Sequence, residues 1–419
     1  MKIAQVNNYY YLRGGSERVM YDDRDALIAA GHDVVPFAPR DERNLPAASE
    51  AYFPVVTDYA QASGTGVFKA AANIVYLPTV ARAFAAFLHD LRPDLIHCHN
   101  IYGRLTTAVL DQASRMGIPT VLTVHDLKLV CPAYLGLRQG QPCMLCRDGG
   151  YWRCVRYRCH KRNTAASLVY SIEAYFNRLA SKYDAVERFL CPSHFIQEAL
   201  IDAGIPAERL VYHPNALNPQ NYVPNYEPGD YVLYAGRLSA EKGILTLLDA
   251  VAGAGIPLRI AGAGPLDSAL RARIANGKIQ VQMEGHCSGK RLSDLYRHAA
   301  FTAIPSEWYE NAPMSALESF AYGKPVLASR IGGNPELVME GESGRLFAPG
   351  NAEDLASAMR SMWANRDELA TMGKRARALV EKDYAQEKRL ANMLEIYRNV
   401  CGIAAPAKPA QSGIQAEVE

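Results

Sequence analysis

The chain of 419 residues is 49% hydrophobic, enough to form the cores of two or three domains at about 150 residues per domain. Its formal net charge of +2 argues against a nucleic-acid-binding protein, so an anionic ligand would have to bind at a local patch. Residues 1–6 have the pattern of a strand and not of a signal peptide, and no uninterrupted apolar run reaches the roughly 18 residues of a membrane span, which predicts a cytoplasmic protein without a transmembrane segment.

Short apolar runs alternate with helical patterns along the chain, which predicts parallel sheets covered by helices on both faces. We expect strands at residues 3–6, 33–37, 95–99, 120–124 and 189–191, and a second series at 231–235, 258–261, 281–284, 301–304 and 326–328. A stretch rich in proline and asparagine separates the two series and is interpreted as an interdomain linker. The fold class predicted from this order is α/β, with two doubly wound domains in tandem that face each other across a cleft.

The predicted organisation has five parts. They are an N-terminal Rossmann-like domain at 1–212 with a cysteine-rich insertion at about 131–163, a linker at 213–228, a second Rossmann-like domain at 229–384, a helix at 385–403 that packs back on the first domain, and a disordered tail at 404–419.

The first strand leads into a loop with two glycines, Gly14 and Gly15, directly before a helix. Backbone N–H groups at such a position can approach an anionic ligand closely, although a plain tight turn would have the same sequence. The loop lacks the Gly-x-Gly-x-x-Gly spacing of a dinucleotide-binding turn, which argues against an NAD-dependent dehydrogenase.

His125 follows the apolar run at 120–124, so it is expected at the carboxyl end of a strand and at the mouth of the cleft. A neutral imidazole there could hydrogen-bond a sugar or stabilise a developing positive charge, and a purely structural role is the alternative. His97 and His99, on the neighbouring strand end, are interpreted as packing and polar lining in preference to a metal pair.

Four of the nine cysteines fall within seventeen residues: Cys143, Cys146, Cys154 and Cys159. In a cytoplasmic protein this cluster suits a structural zinc ion, with independent thiols or a redox pair as alternatives. Cations and aromatic residues are interleaved around it, namely Arg147, Arg153, Arg156, Arg158, Lys161 and Arg162 with Tyr151, Trp152 and Tyr157. We interpret this patch as a contact for an anionic membrane surface or a lipid diphosphate and not for nucleic acid, and a solvated loop face is the alternative.

In the second half, Arg237 and Lys242 flank a strand-to-helix turn, where they could neutralise a diphosphate and stabilise it as a leaving group. Without further support, a charged turn on a solvated surface would be the more common explanation. Gly264 lies in a glycine-containing turn after the next strand.

Glu310 and Glu318 stand eight positions apart, after the predicted strand at 301–304. A helix that starts near Pro313 would leave Glu310 in the preceding loop and place Glu318 in the second helical turn. Free N–H groups at the helix start favour a diphosphate, while the carboxylate one turn later can accept hydrogen bonds from ribose hydroxyls.

These motifs together carry a family resemblance. Gly-Arg237-Leu-Ser-Ala-Glu-Lys242-Gly, the segment from Glu310 to Glu318, the following Gly-Lys-Pro-Val and the Gly332-Gly333 turn resemble the signature of retaining family 4 glycosyltransferases with the GT-B fold. The resemblance extends to about residue 402. It implies transfer of a hexose from a nucleoside diphosphate sugar, with UDP or GDP as the nucleotide, to an acceptor hydroxyl with retained anomeric configuration and without a catalytic metal.

The resemblance also implies residue roles. Those that it assigns to catalysis are His125, Arg237, Lys242 and Glu310, and those that it assigns to donor binding are Gly14, Gly15, Arg237, Lys242, Gly264, Glu310, Asn311, Ala312, Pro313, Met314 and Glu318. In the family the loop after the first glutamate is often glycine-rich. Asn311-Ala312-Pro313 replaces those glycines here, so the shape of the donor-sugar pocket should differ.

No carboxylate in these motifs is placed clearly as a nucleophile, so a front-face displacement is expected in preference to a double displacement. The expected acceptor is a lipid-linked or cell-surface polysaccharide precursor, which would bring the enzyme to the inner face of the cell membrane. The alternatives are a sugar-nucleotide epimerase or phosphorylase on the same fold, and a non-catalytic binding protein that uses the cysteine-rich basic loop.

Overall fold

The computed structural model describes residues 1–56, 73–277 and 279–403. The strands of the first half are β1 (Lys2–Val6), β2 (Asp33–Phe37), β3 (Leu95–Cys98), β4 (Thr120–Thr123), β5 (Leu137–Arg138), β6 (Gln141–Pro142), β7 (Arg188–Cys191) and β8 (Leu210–Tyr212). The helices are α1 (Gly15–Ala29), α2 (Pro78–Leu91), α3 (Ala108–Arg115), α4 (Trp152–Arg156), α5 (Thr164–Leu179) and α6 (His194–Asp202). Apart from the antiparallel hairpin β5–β6, these strands form one parallel sheet in the order β2-β1-β3-β4-β7-β8.

The second half repeats this architecture. Its strands are β9 (Val232–Ala235), β10 (Leu258–Ala261), β11 (Val281–Gly285), β12 (Phe301–Ile304), β13 (Val326–Ser329) and β14 (Gly344–Phe347), and they form a parallel sheet in the order β11-β10-β9-β12-β13-β14. Its helices are α7 (Ile244–Ala254), α8 (Asp267–Asn276), α9 (Gly289–Arg297), α10 (Met314–Ala321), α11 (Asn334–Leu337), α12 (Ala352–Ala364) and α13 (Arg366–Asp383), and the C-terminal helix is α14 (Gln386–Cys401). The predicted α/β class with two Rossmann-like GT-B domains is confirmed.

The central strands are buried along their whole length because helices cover both sheet faces. All four residues of β3, β4, β12 and β13 are buried. The predicted strand bounds differ from the observed ones by a residue at most. The sequence analysis predicts neither the two-residue strands β5 and β6 nor β8 and β14. Both β8 and β14 lie at sheet edges and are only partly buried, so their sequences lack the continuous apolar run that marks an inner strand.

One segment of the described residues, Asn73–Leu91, is long and apolar enough to cross a membrane by length and composition alone. Arg82 and Asp90 interrupt it, and its helix α2 buries Phe84 and Phe87 in the core of the first domain, where their rings contact Phe37 with centroids 4.7 and 5.2 Å away. The core helix of a globular domain satisfies the same criterion.

The chain crosses between the domains twice, and the two crossings touch. Leu217 N–H donates to the carbonyl of Tyr384 (3.1 Å), and Gln386 N–H donates to the carbonyl of Leu217 (3.0 Å). The second crossing leads into α14, whose Met393 and Tyr397 pack against strands of the first sheet. The stretch interpreted as a linker is also packed, since Arg377 of α13 donates hydrogen bonds to carbonyls within it.

Candidate active site

A cleft of about 2100 Å³ lies between the two domains and is lined by loops that follow strands of both sheets. This is where parallel α/β domains bind ligands. The residues from the sequence analysis that line it are Gly14, Gly15, His125, Arg237, Lys242, Glu310, Asn311, Ala312, Pro313, Met314 and Glu318.

Glu310 and Lys242 form a hydrogen-bonded ion pair at the centre of this cleft. Glu310 is 5% exposed, and its Oε1 accepts from Lys242 Nζ at 2.6 Å and from Ser306 Oγ at 2.5 Å. Burial opposes ionisation of this carboxyl, but the charge and hydrogen bond of Lys242 outweigh burial, so the pKa of Glu310 is lowered. The Lys242 ammonium also lies 4.7 Å from the ring centroid of Trp308. The site therefore contains a carboxylate and a cation in fixed positions.

Asn311 connects the two domains beside this pair. Its Nδ2 donates to the carbonyl of Val124 at 2.9 Å, and its Oδ1 accepts from Ser193 Oγ at 2.6 Å. The Gly332-Gly333 turn supports it from behind, because a Cβ on Gly333 would lie 1.9 Å from the carbonyl oxygen of Asn311 and one on Gly332 would lie 2.2 Å from that of Glu310. The glycines are needed here for close backbone approach.

Helix α10 begins at Met314 and directs its first turn into the cleft. Pro313 is its N-cap and has no N–H, so it cannot donate to a ligand as the flanking residues can. Within the described residues, the N–H groups of Asn311, Ala312, Met314 and Ser315 donate to no protein acceptor. Free donors at a helix start form an anion-binding site.

Glu318 lies in the second turn of α10, as predicted. Its carboxylate accepts from Tyr296 Oη at 3.1 Å and lies 3.9 Å from Arg18 Nη1 of α1 in the other domain. Burial raises the pKa of Glu318, and the Arg18 charge opposes that effect. Arg18 was not identified from the sequence, although its place one turn after Gly14-Gly15 was a usable signal.

The Gly14-Gly15 loop faces α10 across the cleft. A Cβ on Gly15 would lie 4.0 Å from Cγ of Met314, with no closer neighbour. The loop after β1 is held by the loop after β3, because Asn8 N–H donates to the carbonyl of Asn100 (2.7 Å). The first-domain loop is therefore fixed opposite the helix start.

Arg237 is exposed in the loop after β9, and its side chain forms no hydrogen bond or ion pair within the described residues. Gly264 does not line the cleft. A Cβ there would lie 2.4 Å from the carbonyl oxygen of Leu238, so Gly264 lets the two turns after β9 and β10 pack backbone to backbone. Its role in the described structure is to support the Arg237 loop.

His125 lies at the end of β4 and lines the cleft. Its Nε2 is 2.9 Å from Nδ1 of His99, which leaves His125 Nδ1 as the ring nitrogen open to a ligand. Burial lowers the pKa of His125 to about 3, so the ring is neutral. His97 is buried and hydrogen-bonds Thr123 (2.7 Å) and Tyr397 (2.6 Å), so both neighbouring histidines belong to the core.

The structure brings together a different set of thiols from the predicted one. Cys131, Cys146, Cys154 and Cys159 pack in one small cluster around Ala133 and Tyr151. Cys143 does not pack in it but lies near enough for its charge to act on the Cys146 thiol. The hydrogen bond from Cys159 lowers the pKa of Cys154 to about 7, against the effect of burial. Within the described ranges, no three His, Cys, Asp or Glu side chains are arranged to hold a metal. Zinc binding stays a prediction.

The basic and aromatic residues of this insertion lie on the surface. Trp152 is 54% exposed, and Arg156, Arg158, Lys161 and Arg162 are also exposed. Within the described residues these four cations pair with no carboxylate, whereas Arg153 pairs with Asp148 and Arg147 with Asp202.

Two facing parallel-sheet domains, with a cation, a paired carboxylate and an open helix start in the cleft between them, define a GT-B glycosyltransferase. The family model described as Glycosyltransferase Family 4 matches residues 13–221, and the model described as Glycosyl transferases group 1 matches residues 221–379. The chain belongs to these family 4 glycosyltransferases of GT-B fold.

Individual relatives agree with this assignment. An uncharacterized glycosyltransferase of Methanocaldococcus jannaschii is 25% identical over 51% of the chain and 60% of its own length, and glycogen synthase of Mycobacterium tuberculosis is 27% identical over 90% of the chain and 89% of its own length. The structure of Anabaena HepE with UDP-glucose superposes with a TM-score of 0.68 at 19% identity, covering 95% of this chain and 100% of HepE. The chain spans 57% and 40% of the lengths of two further curated relatives.

Proposed function

We propose that the protein is a retaining hexosyltransferase that moves a sugar from UDP or GDP to an acceptor hydroxyl. The observation that carries this proposal is the ion pair of buried Glu310 with partly exposed Lys242 beside the open start of α10, with Glu318 one turn further along the helix. A nucleotide sugar consists of a sugar, a diphosphate and a ribose with its base. Glu310 can bind the sugar hydroxyls, Lys242 the diphosphate and Glu318 the ribose. HepE, which resembles this chain in fold, was solved with UDP-glucose.

In the proposed complex, Glu310 contacts the donor hexose and Glu318 the ribose. Arg237, Lys242 and the free N–H groups at the start of α10 neutralise the diphosphate. These groups supply the positive charge that a bound divalent cation would otherwise provide, so we expect no catalytic metal.

The chemical step that we propose is a front-face displacement. The bond between the anomeric carbon and the β-phosphate oxygen breaks with its electron pair on phosphate, the acceptor oxygen bonds to the same carbon, and the acceptor proton moves to the leaving phosphate. Glu310 is held by Lys242 and Ser306, which makes it a poor nucleophile for a double displacement. Neutral His125 would stabilise the donor sugar as positive charge develops.

A thermal-shift screen of UDP, GDP, ADP and their sugars tests donor binding, since a ligand at 100 times its dissociation constant stabilises by about 2.7 kcal/mol. NMR of the product tests the stereochemistry. An inverted anomeric centre would refute the retaining mechanism, and release of sugar 1-phosphate from phosphate and a glycan would indicate a phosphorylase instead.

Lys242→Ala and Arg237→Ala test the leaving-group role. We expect turnover to fall more than donor affinity, because the phosphate charge grows as the bond breaks. Lys290→Ala, an exposed lysine on α9, is the control. If donor affinity and transition-state stabilisation fell by the same amount, these cations would bind the donor equally in the ground state and the transition state, which would contradict the leaving-group role.

We also propose that the acceptor is lipid-linked and that the enzyme works at the cytoplasmic face of a membrane. Helix α5 carries exposed Leu168, Ile172 and Leu179 at positions that share one helix face. Trp152 of α4 is exposed nearby, and its backbone N–H donates to Tyr175 Oη of α5. Apolar residues beside unpaired arginines suit the interface of an anionic bilayer. The protein should pellet with phosphatidylglycerol vesicles at low salt, and Trp152→Ser with Ile172→Ser should stay in solution.

A further inference from the structure

The first-domain side of the cleft carries an arginine–tyrosine cluster that the donor proposal does not use. Its members are Tyr9, Tyr11, Arg13, Arg40, Arg43 and Arg104, all of which line the cleft. They come from three loops that follow β1, β2 and β3, which are neighbours in the sheet. The cluster therefore forms a single surface opposite the second domain.

Ring stacking holds three of the guanidinium groups. The carbon atom of the guanidinium lies 4.4 Å from the Tyr9 centroid for Arg13, 4.9 Å from the same ring for Arg104, and 4.2 Å from the Tyr11 centroid for Arg43. The two rings contact each other edge to face at 5.6 Å. Arg104 also donates to the carbonyl of Asn8 at 3.1 Å. A stacked arginine loses less freedom on binding an anion than an unrestrained one.

The cluster has an excess of positive charge. Asp41 neutralises Arg43 through two hydrogen bonds of 2.9 Å. Arg13, Arg40 and Arg104 pair with no carboxylate in the parts of the chain that the structure describes. Several cations close together repel one another, so an arrangement that gathers them is favourable when an anion binds among them.

Four of the proposed donor groups, Arg237, Lys242, Glu310 and Glu318, belong to the second domain, whereas the arginine–tyrosine cluster belongs to the first, beside Gly14 and Gly15. Tyr134 lies near both regions. Burial raises the pKa of its hydroxyl, and the charges of Arg13 and Arg237 both act to lower that pKa. An anion on the arginine cluster would therefore lie in the same cleft as the donor diphosphate but on other residues.

We propose that this cluster binds an anionic group of the acceptor, either a diphosphate or a sugar carboxylate. The inference rests on the proposed transferase function and adds the chemical class of the acceptor to it. Tyr9 and Tyr11 provide flat apolar surface for the sugar or prenyl carbon next to the anion, and the arginines provide paired N–H donors for its oxygens.

Calorimetry on protein saturated with UDP or GDP, whichever binds, tests the cluster, because the donor site is then occupied. Farnesyl diphosphate and glucuronic acid are the two probes and distinguish a lipid diphosphate from an acidic sugar. We expect one of them to bind, its affinity to fall about 10-fold or more in Arg13→Gln with Arg104→Gln, and binding to weaken with added salt.

Nucleotide affinity in this double variant should stay within about twofold of the wild type, which shows that the protein is folded. Arg115→Gln, an exposed arginine at the end of α3, is the matched control and should change neither affinity. Failure of both probes to bind the nucleotide-saturated protein, or equal probe affinity in wild type and double variant, would overturn the inference. Absence of any nucleotide binding would count against the donor proposal instead.

Discussion

Glu318 is the carboxylate whose role is easiest to isolate. Glu318→Ala should weaken nucleoside diphosphate binding by about 1.5 to 3 kcal/mol, the value of a hydrogen bond to a charged group. Calorimetry measures this, with Glu198→Ala, an exposed glutamate on α6, as the control. Unchanged nucleotide affinity in a folded Glu318 variant would contradict the ribose assignment.

The role of His125 can be tested by comparing it with its neighbour His99. His125→Ala should lower kcat by about 10² or more if the imidazole assists the transition state. His99→Ala should lower kcat less and leave KM for the donor nearly unchanged, because His99 contacts the ring of His125 and does not line the cleft. A His125 variant with normal activity and a normal Tm would make this residue structural.

Helix α14 is joined to the first domain by a buried ion pair. Arg389 donates to both oxygens of Asp23 of α1, at 2.7 and 2.8 Å, and both residues are almost fully buried. Arg389→Met should destabilise the protein by about 3 to 5 kcal/mol, because it leaves the Asp23 carboxylate buried without a partner. Urea unfolding of Arg389→Met with Asp23→Leu should show a smaller loss, and a double variant no better than the single one would refute this explanation.

The thiols of the cysteine-rich insertion are predicted to bind zinc. We predict about one equivalent of zinc per chain in protein purified without chelator, bound by the thiols of the insertion. Because Cys131 lies in the cluster and Cys143 does not, Cys131→Ser and Cys154→Ser should lower the zinc content more than Cys143→Ser. Metal-free protein with full activity would contradict this prediction and make these thiols packing residues. The buried Lys128–Glu173 ion pair would then stabilise the insertion without zinc.

Acid should destabilise the whole molecule. Besides the pKa of partly buried His32, burial lowers the pKa of five histidines inside the protein, to about 4 for His97 and His160, to about 3 for His125, and well below the ordinary value for His99 and His213. Between these values and about 6.5 the unfolded chain binds more protons, so the free energy of unfolding falls as pH falls, by about 1.4 kcal/mol per pH unit for each histidine.

Asp126 acts in the opposite direction, because burial raises its pKa to about 6 and its protonated form is favoured in the folded state. The five histidines outweigh it. Urea unfolding at pH 7 and pH 5 should therefore show a lower stability at pH 5, and His97→Gln should reduce the difference. Equal stability at both values would mean that these rings are protonated in the folded protein.

The sequence predicts the GT-B fold, and eleven of the twelve predicted catalytic and donor-binding residues line the cleft, because apolar strand runs and motif spacing are local features. It does not predict the bonds that join distant segments. Lys242 and Glu310 are 68 positions apart, and Asn311 bonds to Val124 across 187 positions. Cys131 was left out of the thiol cluster because it precedes the other cysteines by twelve residues or more, and only the folded insertion brings it to Cys146.

The paired crossings at Leu217 and Tyr384–Gln386 determine how the cleft can open. Two chain segments bonded side by side form a hinge. We therefore expect one domain to rotate about that line, and neither to slide past the other domain nor to separate from it. Asn311 lies near this line, because the carbonyl of its neighbour Ala312 accepts from Asn215 Nδ2 at 2.9 Å, two residues before Leu217. Its own bonds to Val124 and Ser193 join the second domain to the first. The segment proposed to hold the donor sugar thus also joins the two domains.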